Sequence, residues 1–190
     1  MSDDERTLSR EQLVALLREV GLILQEQSLE ASIYVVGGAA MAMVFDSRRV
    51  TKDVDAAIRS HHEEFHKAVT IVAERNGLAP DWVNSSAGAF MPNHLDDAAD
   101  EMNLPGLRIA IASPEHLIAM KLRAMRRRDL DDLETLFRSC GIETPEHAAA
   151  IHDRLFGETD IGYSGPDEAL YAARMVFDRA ASRGWPIGTA

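Results

Sequence analysis

Cysteine is almost missing from this sequence. Cys140 is the only one among 190 residues, which excludes an internal disulfide framework and any zinc site built from several cysteines. A reducing cytoplasm is the expected compartment. Aromatic residues are also few, 6% against 46% apolar residues overall, the balance of an ordinary helix-rich globular protein. No stretch approaches the roughly 18 continuous apolar residues of a membrane span. The opening Met-Ser-Asp-Asp-Glu-Arg lacks the basic and apolar regions of a signal peptide, so export is not expected. There is no internal repeat and no low-complexity segment. Nor is there any surplus of base: the net charge is −11, which argues against a general nucleic-acid coat protein.

Eight of the 20 basic residues cluster in two places. Arg48, Arg49 and Lys52 form one group, and Lys121, Arg123, Arg126, Arg127 and Arg128 form the other. An acidic protein with local basic patches suits a polyanionic substrate met at one place. Solvated helix faces explain each run equally well when it is taken alone.

The chain is long enough for one sizeable core. Ser9-Arg10-Glu11-Gln12 reads as a capping box opening a helix that carries Leu13, Leu16, Leu17, Val20 and Leu24. Ile33 to Val36 is a short run of β-formers stopped by Gly37-Gly38. Ala39 to Phe45 suits a short helix, Thr51 to Ile58 a strand, and His61 to Arg75 a helix closed by Gly77. Residues 79–106 are the least regular, with Trp82-Val83 as a brief strand, and Leu107 to Ile111 is a better one. Ser113-Pro114, Thr144-Pro145 and Pro166 then open helices in turn. The pattern predicts an α+β core over 1–112, a small mixed sheet with helices. A helical C-terminal part over 113–190 is expected to pack with it as one compact unit.

Two features carry chemistry. Glycines at a strand-to-helix junction let backbone amides approach a phosphate, and a helix start adds a favourable dipole. Many such turns carry glycine for geometry alone. In Asp53-Val54-Asp55 the alternation of a strand points both carboxylates one way and Val54 into the core. Paired carboxylates repel unless a cation lies between them, and magnesium binds through one or two carboxylates plus substrate phosphates. A solvated edge strand is the alternative. Together the two features put a triphosphate beside a divalent metal, the arrangement phosphoryl and nucleotidyl transfer require.

Val35-Val36-Gly37-Gly38-Ala39-Ala40 followed by Thr51-Lys52-Asp53-Val54-Asp55 resembles the signature of the DNA polymerase β-like nucleotidyltransferase superfamily. Ala112 to Leu117, Lys121-Leu122-x-Ala124 and Arg128-Asp129-x-x-Asp132-Leu133 resemble the later motifs of AbiEii/MenT-like toxin-type nucleotidyltransferases. The resemblance implies that Gly37 and Gly38 contact a nucleoside triphosphate and that Asp53 and Asp55 coordinate Mg2+. It implies that Thr51 supports the turn or the phosphate, with Lys52 beside it as a nucleotide-binding candidate. Lys121 would neutralise phosphate charge, and Asp132 would be a further catalytic or structural acid. The acceptor implied is the 3′ end of a tRNA, with Arg48, Arg49, Arg123, Arg126, Arg127 and Arg128 as candidate RNA contacts and a protein antitoxin as partner. Superfamily members often carry a third carboxylate on a later strand, and Leu107 to Ile111 has none. Asp129 or Asp132 would then substitute, or two carboxylates suffice.

On one continuous helix Lys121 and Asp132 would lie roughly 16 Å apart along the axis. A break near Arg127 relieves this, with Asp129 then capping a new helix. His62 and His66 read as surface residues, and Trp82 as packing or, less simply, as a base-stacking side chain. Two rivals stand beside the RNA-modifying reading: an enzyme that nucleotidylates an antibiotic, and a non-catalytic nucleotide-binding module of the same fold.

Overall fold

The computed structural model describes residues 7–45, 49–157, 160, 163, 165–184 and 186–188. Ser9 begins the first helix, α1 (Arg10–Glu26), with both hydrogen bonds of a capping box to Gln12. Its apolar stripe is buried, with Leu13, Leu17, Val20 and Leu24 at 0% exposure. Each such side chain contributes about 1.5–3 kcal/mol relative to exposure. Strand β1 (Ala31–Val36) follows, then a short helix α2 (Gly37–Ala40) that runs on into a π-helical turn over Met41–Phe45. Strand β2 (Val54–Ser60) begins later than the composition predicts. Thr51 forms an isolated bridge with Leu8 instead of extending it. Helix α3 (His62–Asn76) ends at Gly77 in the left-handed region, as expected.

Strand β3 is only Val83–Asn84, and β4 (Asp100–Leu104) and β5 (Leu107–Ile111) form a hairpin. Strand β4 was not legible in the irregular stretch before Gly106. It contains Asp100, Glu101 and Asn103, poor strand formers that an edge position tolerates. The sheet order is β3-β2-β1-β5-β4, mixed in sense: β1 is antiparallel to β2 and parallel to β5, while β3 runs parallel to β2. Ile33, Val35, Val54, Ala56, Ile109 and Ile111 are buried, and α1 packs on α3 and β5.

The helical part consists of α4 (Pro114–Ala124), α5 (Leu130–Ser139), α6 (Pro145–Phe156) and α7 (Pro166–Ser182). Ser113 and Thr144 cap α4 and α6 through their side chains. Met125 lies just past the end of α4 at φ 45° and is exposed. The chain forms two compact units: Met1–Ala89 with Ala98–Ala112, and Phe90–Asp97 with Ser113–Ala190. Within the second, the Ser113 backbone amide donates to Asp96 at 2.8 Å, and His116 meets Asp96 at 3.2 Å. His116 also reaches the His94 carbonyl at 3.3 Å. These bonds tie the Phe90–Asp97 segment to the start of α4. Among the described residues no helix is long and apolar enough to cross a membrane.

Gly21 marks a close approach inside the first unit: a Cβ there would run into the carbonyl oxygen of Pro105 in the β4–β5 turn. Gly21→Ala gains up to about 1 kcal/mol of helix propensity. Overpacking against rigid backbone outweighs it, for a net loss of about 1–3 kcal/mol. A lower urea midpoint with unchanged slope is the expected result; a higher midpoint would show that α1 moves freely off the turn.

Candidate active site

Strand β1 pairs with β2 so that Val36 faces Asp55, which puts Gly37 directly at the carboxylate. Gly37 has φ +65°, and a Cβ built on it would lie 3.0 Å from Asp55 Oδ2. At Gly38 a Cβ would lie 3.0 Å from Thr51 Oγ1. Any side chain at either position presses on a candidate site residue, and at Gly37 it also adopts a strained backbone. The turn is closed to side chains on the side where the polar groups stand.

Thr51 is held by two backbone hydrogen bonds with Leu8, at 2.6 and 3.0 Å. Its hydroxyl donates to the Asp53 carbonyl at 3.1 Å. Val54, fully buried, turns inward between the half-buried Asp53 and Asp55, and its amide donates to the Trp82 carbonyl at 2.7 Å. Trp82 is itself in the core, with its indole N–H donating to the Val69 carbonyl at 3.2 Å. It packs and does not stack on a base. Asn84, which sequence reasoning missed, pairs with Asp55 across β2 and β3, and its Nδ2 donates to Asp53 Oδ2 at 3.3 Å. A two-residue strand shows no alternation, and an asparagine before two serines reads as a turn.

The structure thus gathers Gly37, Gly38, Thr51, Asp53, Asp55 and Asn84 in the first unit. Lys52 is exposed and Arg49 half-exposed beside them; Arg48 lies outside the described residues. Among the described residues no group of three or more His, Cys, Asp or Glu side chains is placed to hold a metal. What the site offers is two hard carboxylates next to a turn that a Cβ would fill. That donor set fits a magnesium ion that completes its shell with water and substrate phosphates.

Lys121 and Asp132 lie in the second unit. The helix break expected near Arg127 is present: α4 stops at Ala124, a 3-10 turn covers Arg127–Asp129, and α5 starts at Leu130. The reversal brings Lys121 Nζ to 2.7 Å from Asp132 Oδ2 and 2.8 Å from Asp129 Oδ1, all three side chains buried. Asp129 makes no side-chain cap on α5, contrary to expectation, because its carboxylate accepts from Lys121 instead. Of the arginines, Arg123 pairs with Asp160 at 3.0 Å and lies over Phe156, and Arg126 lies over Phe90. Arg127 and Arg128 are exposed.

A family model described as "Nucleotidyltransferase of unknown function (DUF6036)" matches residues 11–160. The chain belongs to this family. No curated protein and no solved structure matches it. The matched span of this nucleotidyltransferase takes in the glycine turn, the aspartate pair and the Lys121 cluster alike. The family description reaches no further than the class of reaction.

The buried cluster has a stability consequence of its own. Lys121→Met leaves Asp129 and Asp132 as neighbouring buried carboxylates, a loss of about 3–5 kcal/mol. Urea unfolding measures it; a change below about 1 kcal/mol would show that the two carboxylates find other partners.

Proposed function

We propose that this nucleotidyltransferase uses Asp53 and Asp55 to hold Mg2+ and the Gly37-Gly38 turn to hold the triphosphate of an NTP. The observation that carries the reading is the contact of Gly37 with Asp55. It leaves no room for a side chain between the glycine turn and the carboxylate. Magnesium, when bound, neutralises phosphate charge and polarises the phosphorus–oxygen bond. Helix α2 is only four residues long, so in this reading individual backbone amides of the turn matter more than a helix dipole. Thr51 fixes the backbone that carries the aspartates, and Lys52 stands next to it for the phosphates. An acceptor hydroxyl oxygen bonds the α-phosphorus as the bond from that phosphorus to the pyrophosphate oxygen breaks, and the hydroxyl proton passes to solvent water as pyrophosphate leaves.

The acceptor in this reading is the 3′ end of a tRNA, and the protein is a cytoplasmic toxin restrained by an antitoxin. The motif resemblance supports this. So do the exposed Arg127 and Arg128 as a cationic spot on an otherwise acidic chain. Arg123 and Arg126, engaged within their own unit, add less to RNA binding than their sequence suggests. That engagement favours the antibiotic-modifying alternative. The amide of Asn84 beside Asp53, where a further carboxylate would strengthen a metal site, favours the non-catalytic one.

Incubating the purified chain with each labelled triphosphate, magnesium and total bacterial RNA separates the three. Label is expected in a tRNA-sized band. Asp53→Ala is expected to reduce it about 10²-fold or more, the effect of losing several kcal/mol at 1.36 kcal/mol per tenfold. Lys121→Arg and Asp132→Asn in the same assay read the catalytic roles expected for those residues, alongside their unfolding midpoints. Triphosphate binding without labelled RNA would overturn the RNA acceptor, and transfer to an aminoglycoside would then identify a small-molecule enzyme.

A further inference from the structure

We propose that Asn84 is a positioning residue for the metal ligand Asp53, and that its neutral amide keeps the site at two negative charges. Cation uptake then depends on the triphosphate. This inference rests on the assignment of Asp53 and Asp55 as metal ligands. Its basis is the hydrogen-bond pattern of one side chain. Asn84 Oδ1 accepts from the Ser86 backbone amide at 2.8 Å. A backbone N–H can only donate, so this bond fixes which end of the amide faces where. The Nδ2 end therefore points the other way, donating to Asp53 Oδ2 at 3.3 Å and to the Asp81 carbonyl at 3.4 Å. Both donors and the acceptor are engaged, so the amide is locked.

The consequence falls on Asp53. One carboxylate oxygen is engaged by an N–H, which sets the plane of the group and leaves Oδ1 for a cation. Removing a partner that orients a ligating group in this way typically costs about 10- to 100-fold in metal affinity. Strand β3 is only two residues long and parallel to β2 with Asn84 opposite Asp55. The same side chain therefore sits level with one aspartate and bonded to the other. A carboxylate at position 84 would keep the bond from Ser86 but turn an acceptor toward Asp53. That pair is stable only with a cation between them. The asparagine avoids this repulsion in the empty site and gives up the third charge that would hold a cation without nucleotide.

The test is Mn2+ titration of the full-length chain, with free ion followed by electron paramagnetic resonance, with and without inorganic tripolyphosphate. The wild type is expected to bind weakly alone and more tightly with tripolyphosphate. Asn84→Ala is expected to weaken Mn2+ binding about tenfold. Asn84→Asp is expected to tighten it about tenfold without tripolyphosphate, and to melt higher on adding Mn2+. Asn84→Asp retains the Ser86 bond, so it decides the matter alone if Asn84→Ala fails to fold. Either folded variant at wild-type affinity overturns the role of Asn84, and so does weaker binding by Asn84→Asp. The metal reading survives those results if Asp53→Asn abolishes binding. Equal binding by wild type and Asp53→Asn overturns both.

Discussion

The pairing of β1 with β2 is the constraint on which the rest depends. Its antiparallel register sets Val36 opposite Asp55, and the chain must turn away at once because Gly37 then meets the carboxylate. A slip of one residue would exchange the faces of the strand, placing Asp55 in the core and Val54 outside. Burial of Val54, Ala56, Val35 and Ile33 penalises that slip heavily, so hydrophobic burial on one face holds polar groups in register on the other. Two anchors extend the same control beyond the strand. Leu8 bridges Thr51, and Trp82 takes the Val54 amide, so the segment carrying the aspartates is fastened at both ends.

Much of this was legible in the residues because the relevant signals are local. The capping box at Ser9, the caps at Ser113 and Thr144, and the left-handed Gly77 each depend on a few neighbouring residues, and each is found. The glycine turn and the alternating aspartates are local too, so the order strand, turn, strand could be read directly. What escaped was decided by distant partners. Strand β4 pairs only because β5 supplies its hydrogen bonds; its own Asp100, Glu101 and Asn103 argue against a strand. Asn84 has meaning only beside Asp53, thirty-one positions earlier in the chain. The capping role expected of Asp129 failed for the same reason, since an ammonium eight positions away outcompetes a backbone amide for its carboxylate.

The Lys121 cluster shows the cost of such a distant partner. Burying one ammonium with two carboxylates brings desolvation that Coulomb attraction offsets only when the geometry is good, as it is at 2.7 and 2.8 Å. An apolar trio would serve packing at least as well. What the ions add is specificity: Asp129 and Asp132 reach one Nζ only if the chain reverses between Ala124 and Leu130. The non-glycine Met125 is held at φ 45° by that reversal. The break between α4 and α5 is therefore specified by charge, not by a proline or glycine, and the sequence there contains neither.

Charge also decides how such a protein meets a triphosphate. In the proposed reading, a net charge of −11 and paired carboxylates at the turn would repel bare phosphate. Like charges 4 Å apart interact by about 4 kcal/mol where the effective dielectric is near 20. Backbone amides at Gly37 and Gly38 are neutral dipoles and cannot cancel that for a polyanion. A divalent cation removes the repulsion, and phosphate oxygens complete the shell that two carboxylates leave open. Cation and nucleotide bound in this way would lower each other's binding free energy by the same amount, as any linked pair must. In the proposed reading the amide at position 84 adjusts that linkage: a third acid there would hold the metal alone and weaken its dependence on the nucleotide, whereas an amide leaves the dependence strong. On that reading, the charge that makes the chain appear unsuited to phosphate would make its phosphate binding conditional on the metal.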